Sequence, residues 1–125
     1  MKVLLDTHVL LWSLATPERI GPEAAAAFRD NVTATVVSVA SLWEIAIKRA
    51  AGRLQIIEDL PAYVVGLGHE VLPIRADHAW CAGQLPAHHR DPFDRMIVAQ
   101  ALVEDLTLVT HDQSLFAYGA RVLRA

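Results

Sequence analysis

Short, continuously apolar runs that alternate with longer segments of helical spacing are the feature that most restricts how this chain can fold. The first run, residues 2–5, has no alternation of polar and apolar side chains, which is typical of a strand buried on both faces of a sheet. Comparable strands are predicted at residues 33–37, 70–74, 107–110 and 120–123. Because predicted helices separate these strands, the pattern indicates an α/β fold with a mainly parallel central sheet.

The helices are predicted from apolar spacing and from their start and stop signals. Proline stands at the first position of two of them, and glycine ends another. The predicted helices cover residues 9–14, 22–30, 39–51, 58–66, 77–85 and 92–104. No repeat, linker or low-complexity segment divides the sequence, so we expect a single domain covering residues 1–125.

The composition excludes several classes of protein. With 54% hydrophobic residues and a net charge of −3, the chain is too apolar for intrinsic disorder and lacks an obvious basic footprint for nucleic acid. Its single cysteine, Cys81, excludes an internal disulfide and is typical of a reducing compartment. Asp6 and His8 interrupt the apolar N-terminal run, so neither a signal peptide nor a membrane helix is predicted. We therefore expect a cytoplasmic protein.

Two of the predicted strands run directly into carboxylates. The segment LLDTH places Asp6 after the first strand, and the similar segment LVTHD places Asp112 after the fourth. If these strands are parallel neighbours, both carboxylates lie at the same edge of the sheet, where α/β proteins bind their ligands. Aspartate is also a preferred N-cap, so on spacing alone each residue has a structural explanation as well.

Two further acids lie on predicted helices. Glu44 is four residues before Lys48, and a surface ion pair is the simpler explanation of that spacing. Asp91 is a natural N-cap for the helix that follows it, and Asp94 falls in the first turn of that helix. The functional alternative is that this helix start directs Asp94 and Arg95 at a shared site. In the free protein we expect Arg95 to pair with Asp91 or Glu44, or to be available to a phosphate.

A convergence of Asp6, Glu44, Asp94 and Asp112 would define a cation site. Carboxylates held within a few ångströms of one another repel and raise one another's pKa. Mg²⁺ relieves that repulsion, because it takes octahedral oxygen ligands and binds substrate phosphates. An all-carboxylate set favours Mg²⁺ or Mn²⁺ over zinc, and such a site can activate water to hydrolyse a phosphodiester.

Taken in order, segments of this chain resemble the PIN-domain ribonucleases, and among them the VapC-type toxins of bacterial toxin–antitoxin pairs. The segments are LLDTHVLLW, SVASLWEIAIKRAAGRL, HHRDPFDRMIVAQA and LVTHD. They extend over nearly the whole chain, and their order makes the signal specific. The resemblance implies a three-layer α/β/α sandwich and a homodimer. It also implies a metal-dependent endoribonuclease that a cognate VapB-like antitoxin holds inactive, with a short antitoxin segment lying in the acidic groove.

The resemblance also implies roles for individual residues. The catalytic quartet corresponds to Asp6, Glu44, Asp94 and Asp112. Of these, Asp6, Asp94 and Asp112 are expected to hold the metal. The hydroxyls next to the family's first acid and two residues before its last acid correspond to Thr7 and Thr110, which we expect, with Arg95, at the substrate. Asp91 remains first a helix cap.

Two other function classes remain open. A phosphatase-like hydrolase also begins with an Asp-ended strand, but it needs a second aspartate two residues later, where this chain has His8. A non-catalytic binding module would use the acids only as caps, and divalent ions would not stabilise it.

The remaining aromatic and imidazole side chains have mainly structural interpretations. The tryptophans, which have apolar neighbours, are expected in the core or at an interface; they are Trp12, Trp43 and Trp80. His8 and His111 flank the predicted site and are candidates to contact substrate. The adjacent His88 and His89 are expected to point apart, and no histidine or cysteine has the spacing of a structural zinc site.

Overall fold

The computed structural model describes residues 1–30 and 32–125. Among these residues, five strands form one sheet: β1 (Lys2–Leu5), β2 (Ala34–Ser38), β3 (Glu70–Leu72), β4 (Thr107–Thr110) and β5 (Val122–Arg124). Their spatial order is β3-β2-β1-β4-β5, and every neighbouring pair is parallel. The predicted parallel sheet is therefore confirmed.

Helices connect the strands. The α-helices in the described part of the chain are α1 (Thr7–Ala15), α2 (Pro22–Arg29), α3 (Val39–Ala50), α4 (Leu60–Gly66), α5 (Ala76–Gln84) and α6 (Pro92–Val103). Short 3₁₀ turns cover Pro17–Arg19 and Gln113–Tyr118. None of the helices described is both long and apolar enough to cross a membrane. The first helix begins at Thr7 rather than at the expected residue 9, because the carboxylate of Asp6 caps it.

Both faces of the sheet are covered by helices. Side chains alternate along a strand, so Val3 and Leu5 pack on the face covered by α1, α2 and α4, while Leu4 packs against α6 on the other. All three side chains are essentially inaccessible to solvent. The continuous apolar run therefore reflects burial on both sides, and the three-layer α/β/α arrangement is confirmed.

The order of the strands reverses between β1 and β4. The chain adds β2 and β3 on one side of β1, and then places β4 and β5 on its other side. In this register Leu5 is opposite Val109. The two strands that lead into Asp6 and Asp112 are thus neighbours, and their carboxyl ends border the crevice in which such sheets bind ligands.

Candidate active site

Asp6 lies at the carboxyl end of β1 and is only 4% exposed. Its Oδ1 accepts a hydrogen bond from the Val9 N–H at 2.8 Å, and its Oδ2 accepts one from the Thr110 hydroxyl. That hydroxyl also accepts a bond from the backbone N–H of Asp112 at 3.0 Å, so it joins the two strand ends. Burial raises the pKa of Asp6 despite these bonds. Asp6 is therefore both a helix cap and a buried acid at the site.

Asp112 follows β4 and begins the 3₁₀ turn behind it. Its Oδ1 accepts hydrogen bonds from the Ser114 N–H at 2.9 Å and from the Ser114 hydroxyl at 2.7 Å. Partial burial acts to raise the pKa of Asp112, but the bonds from Ser114 and from His89 outweigh it, so this pKa lies below its usual value. Asp112 is therefore ionised beside Asp6, and its charge contributes to the raised pKa of Asp6.

Asp94 lies in the first turn of α6, with its side chain 21% exposed. Burial, followed by the neighbouring charge of Asp91, raises the pKa of Asp94 to about 7, and the charges of Asp6 and Glu44 act in the same direction. The acids predicted from distant parts of the sequence are thus close enough to influence one another. Their mutual repulsion is the property that a bound cation would relieve.

Glu44 reaches the site from α3 and is 7% exposed. Its Oε2 accepts a hydrogen bond from Lys48 Nζ at 2.9 Å, so the predicted ion pair forms, although at a buried carboxylate rather than on the surface. Its Oε1 is buried and has no hydrogen-bond partner among the described residues. A buried polar atom left without a partner costs about 1–3 kcal/mol, which makes this oxygen a natural acceptor for a cation or a water proton.

His89 joins two of the acids, a role that its place in the sequence did not predict. Its Nε2 lies 3.1 Å from Asp112 Oδ2 and 3.3 Å from Asp94 Oδ2. Its Nδ1 accepts a hydrogen bond from the Asp91 N–H at 3.0 Å, so in the neutral ring the proton is on Nε2 and points at the carboxylates. The only signal in the sequence is that this histidine lies two residues before Asp91, the N-cap of α6. It has no regular spacing from the acids that would mark it as a site residue.

Arg95 does not form the expected ion pair with Asp91 or Glu44. Its guanidinium donates to backbone carbonyls, which are those of Ala82, Leu85, Pro86 and His89. The reason is that the last turn of α5 leaves carbonyl groups without helical partners, and α5 packs against α6 where Arg95 can reach them. Contact between Arg95 and a substrate stays a prediction.

The two threonines at the site are buried and already hydrogen-bonded. The Thr7 hydroxyl donates to Ser41 Oγ at 3.0 Å, which ties α1 to α3 next to Glu44. The Thr110 hydroxyl positions the carboxylate of Asp6. The structure thus gives both residues a part in holding the acids, and their contact with substrate stays a prediction.

His8 and His111 lie at the expected place. They line a cleft together with Asp6 and Asp112, and Trp12 packs edge to face against His111 with ring centroids 5.6 Å apart. Trp12 also packs against the core, as expected.

The other two tryptophans do not lie in the core, and their placement at an interface stays a prediction. Trp43 is 59% exposed and Trp80 is 74% exposed, because the buried residues of α3 and α5 lie on other faces of those helices.

The donor set at this edge of the sheet fits a hard divalent cation. Ligand-type atoms of Asp94 and Asp112 lie within 4.8 Å of each other and of a ring nitrogen of His89. The His89 nitrogen that faces both acids carries a proton in the neutral ring, so His89 borders the donor set and the acids supply its oxygens. The raised pKa values of Asp6 and Asp94 and the unpartnered oxygen of Glu44 indicate negative charge that protein donors do not balance. Oxygen ligands of this kind suit Mg²⁺ or Mn²⁺.

Comparison with known proteins gives one family and several similar structures. The profile of the PIN domain family matches residues 3–120. A curated relative, Ribonuclease VapC22 from Mycobacterium tuberculosis (strain ATCC 25618 / H37Rv), is 32% identical over 116 residues, which are 90% of this chain and 88% of that protein.

The similar solved structures share the fold over their full length. DNA-bound VapBC from Salmonella typhimurium matches with a TM-score of 0.74 at 23% identity, covering 99% of this chain and 98% of that one. VapBC2 from Rickettsia felis, bound to a DNA fragment from its promoter, matches with a TM-score of 0.72 at 15% identity, covering 100% and 99%. A toxin-antitoxin complex from Klebsiella pneumoniae matches with a TM-score of 0.67 at 19% identity, covering 97% of this chain and 95% of that one. At these identities the likeness shows the fold.

Proposed function

The chain belongs to the PIN-domain family, and from this membership we propose that it is a metal-dependent endoribonuclease, the toxin of a toxin–antitoxin pair. The proposal is supported by two observations: Asp6 and Asp112 follow neighbouring parallel strands, and the charges of Asp6 and Glu44 act on Asp94, whose pKa is raised to about 7. The relative named as a ribonuclease supports RNA as the substrate. The reaction is hydrolysis of a phosphodiester bond.

The residues of the chain divide the work of this reaction. Asp6, Asp94 and Asp112 would hold the metal, and Mg²⁺ or Mn²⁺ bound there would supply Lewis-acid chemistry, polarising the phosphate and lowering the pKa of a bound water. The unpartnered Oε1 of Glu44 accepts the proton of the attacking water, while Lys48 holds the other oxygen in place. Asp112 is less suited to that role, because its oxygens already accept several hydrogen bonds.

We also propose the partners that such a toxin requires. One structural neighbour is a toxin-antitoxin complex, which supports a VapB-like antitoxin for this chain. An antitoxin arginine lying among Asp6, Asp94 and Asp112 would supply positive charge where the cation binds and would inhibit the enzyme. Two copies of the chain form a homodimer, and the protein acts in the cytoplasm, where its RNA substrate is found.

The proposal is tested by cleavage of total bacterial RNA with wild-type protein and with Asp6→Asn, in Mg²⁺, in Mn²⁺ and in EDTA. Asparagine keeps an oxygen that caps the helix at the Val9 N–H, places an NH2 group that can donate to the Thr110 hydroxyl, and removes the charge. Removing a residue that only supports a metal ligand lowers metal affinity or activity roughly 10–100-fold. Removing the ligand Asp6 should therefore lower cleavage activity by more than that.

The control is Asp105→Asn, which changes an exposed aspartate just before β4, at the amino edge of the sheet. We expect it to cleave like the wild type. Equal cleavage in EDTA, or by Asp6→Asn, would contradict a metal-dependent nuclease and favour a binding module.

A further inference from the structure

A cleft of about 390 Å³ adjoins the acids, between α3 and the start of α6. Glu44, one of the acids, forms part of its wall together with Asp91, whose carboxylate accepts a hydrogen bond from the Asp94 N–H, so the cleft adjoins the acidic site. Cationic and aromatic side chains also line it, and they are Lys48, Arg53, Arg90 and Phe93. None of these four has a role in the proposed chemistry beyond the contact of Lys48 with Glu44.

The charges in this cleft leave two guanidinium groups available. Glu44 is paired with Lys48, and Asp91 accepts hydrogen bonds from the backbone N–H groups of α6. Arg53 and Arg90 are exposed and have no carboxylate partner within residues 1–30 and 32–125. The cleft therefore offers positive charge to an anion right beside a cluster of carboxylates that would repel one.

The backbone holds both arginines at fixed points. Gly52 ends α3 with a φ of 72°, and the Arg53 N–H donates to the Lys48 carbonyl at 2.9 Å. This is a Schellman motif, which needs a left-handed residue at the position of Gly52. Arg90 lies between His89 and Asp91. The Asp91 N–H donates a hydrogen bond to Nδ1 of the His89 ring, which orders the backbone around Arg90. Backbone hydrogen bonds thus fix the points from which the two arginine side chains extend into the cleft.

An aromatic pair, of which Trp43 is exposed and Phe93 is half-buried, lies at the rim of the same cleft. Trp43 is 59% exposed and contacts Phe93 edge to face, with ring centroids 5.2 Å apart at 74°. Ile47, one turn after Trp43, is 42% exposed and also lines the cleft. Aromatic side chains beside a basic groove are the combination by which proteins bind single-stranded nucleic acid with little sequence preference.

We propose that this cleft is a substrate subsite, which binds a nucleotide of single-stranded RNA next to the cleaved phosphate. Arg53 and Arg90 contact the phosphate of that nucleotide, and Trp43 with Phe93 provides a surface on which its base stacks. The inference rests on the proposed function, because it takes RNA as the substrate. An acidic site on a chain of net charge −3 would by itself repel RNA, which is a polyanion. The inference explains the attraction by the positive charges of the adjacent cleft.

The test measures the affinity for a short, mixed-sequence, single-stranded RNA in the Asp6→Asn background, which does not cleave it. Trp43→Ala should weaken binding roughly 10-fold, as expected for loss of one stacked base. The double variant Arg53→Gln/Arg90→Gln should reduce the slope of log K against log salt by about 0.7 for each arginine lost. A residue with only a structural role would not change that slope.

Matched controls change the same residue types elsewhere. Trp80→Ala removes another exposed helical tryptophan, and Arg121→Gln removes an arginine before β5, at the amino edge of the sheet. Neither should change affinity or salt slope. An unchanged salt slope in the double variant overturns the subsite. A Trp43→Ala variant that binds RNA with normal affinity also overturns it. If that variant loses its oligomeric state as well, the patch is a contact between copies.

Cleavage of total bacterial RNA by the same variants with Asp6 restored separates the two claims. If the wild type cleaves and the cleft variants lose activity chiefly at low RNA concentration, both claims hold. If the wild type cleaves and the cleft variants match it at every concentration, the subsite fails and the proposed function stands. If the wild type does not cleave with either metal, the proposed function fails.

Discussion

Two buried polar regions of this protein contain a histidine beside a carboxylate. The two regions differ in how far hydrogen bonds and opposite charges compensate their polar groups. In the first, which we call the helix-packing network, His78 and Gln100 are fully buried between α5, α6 and the sheet. His78 accepts a bond from the Arg75 N–H at 3.0 Å and has Glu104 Oε1 2.9 Å from its other nitrogen, while Gln100 bonds to Ser38 and to a backbone carbonyl. Each of these polar side chains has a partner.

The acidic site is the second region, and its charges are not matched. The hydrogen bond from His78 lowers the pKa of Glu104, with Arg75 adding to the effect. At the acidic site burial and neighbouring acids raise the pKa of Asp94, although His89 lies against it. In the network, His78 contacts a single carboxylate, that of Glu104. At the acidic site, His89 contacts the carboxylates of both Asp94 and Asp112. The comparison teaches that the surplus of negative charge, rather than the presence of buried polar groups, distinguishes the candidate site.

The largest stability effect is expected in the helix-packing network. His78→Ala removes a fully buried ring, its hydrogen bond to Glu104 and the acceptor of the Arg75 N–H, so we expect the free energy of unfolding to fall by about 3 kcal/mol. His78→Asn, which can still accept from the Arg75 N–H, should recover part of the loss. Denaturant unfolding measures both. If His78→Ala lowered the free energy of unfolding no more than a surface substitution does, the helix-packing network would not be a well-compensated region.

Removing one acid from the site should have a smaller effect of opposite sign. The pKa of Asp94 is about 7 in the folded protein and lies near 3.8 when unfolded, so its contribution to stability is present below about pH 4 and is lost as the pH rises through 7. Without metal, Asp94→Asn should therefore stabilise the protein at pH 8 by about 1–2 kcal/mol, a value reduced for screening by water.

The pH profile of metal-free unfolding checks this prediction. The wild type should lose stability between pH 4 and 7 more steeply than Asp94→Asn does. Parallel profiles, or a variant less stable than the wild type at pH 8, would show that the acids are not under electrostatic strain.

The smallest effect is expected for His89. Its Nε2 carries the proton that it donates to Asp94 and Asp112, so His89→Ala should lower metal-free stability by roughly 1 kcal/mol. Because a protonated nitrogen is not a ligand, the affinity for Mn²⁺ should be unchanged or tighter. Calorimetric titration decides this. An affinity reduced tenfold would instead make His89 a metal ligand.

Much of this arrangement could be predicted from the sequence, because it follows from local rules. The apolar run at residues 2–5 forms β1 as expected, and two parallel neighbouring strands necessarily bring Asp6 and Asp112 to one edge. The contacts of His89 and Arg95 could not be predicted. They depend on the path of the loop before α6 and on how α5 packs against α6, and these are set by tertiary structure.

The measurement that tests the central claim most directly is thermal unfolding with and without Mn²⁺ at pH 8. If the acids form a cation site, Mn²⁺ at about 100-fold above its Kd should raise the Tm of the wild type by roughly 5–10 °C. Asp105→Asn, at the other edge of the sheet, should respond in the same way, while Asp94→Asn should respond much less. No shift in the wild type, or an equal shift in Asp94→Asn, would contradict the account.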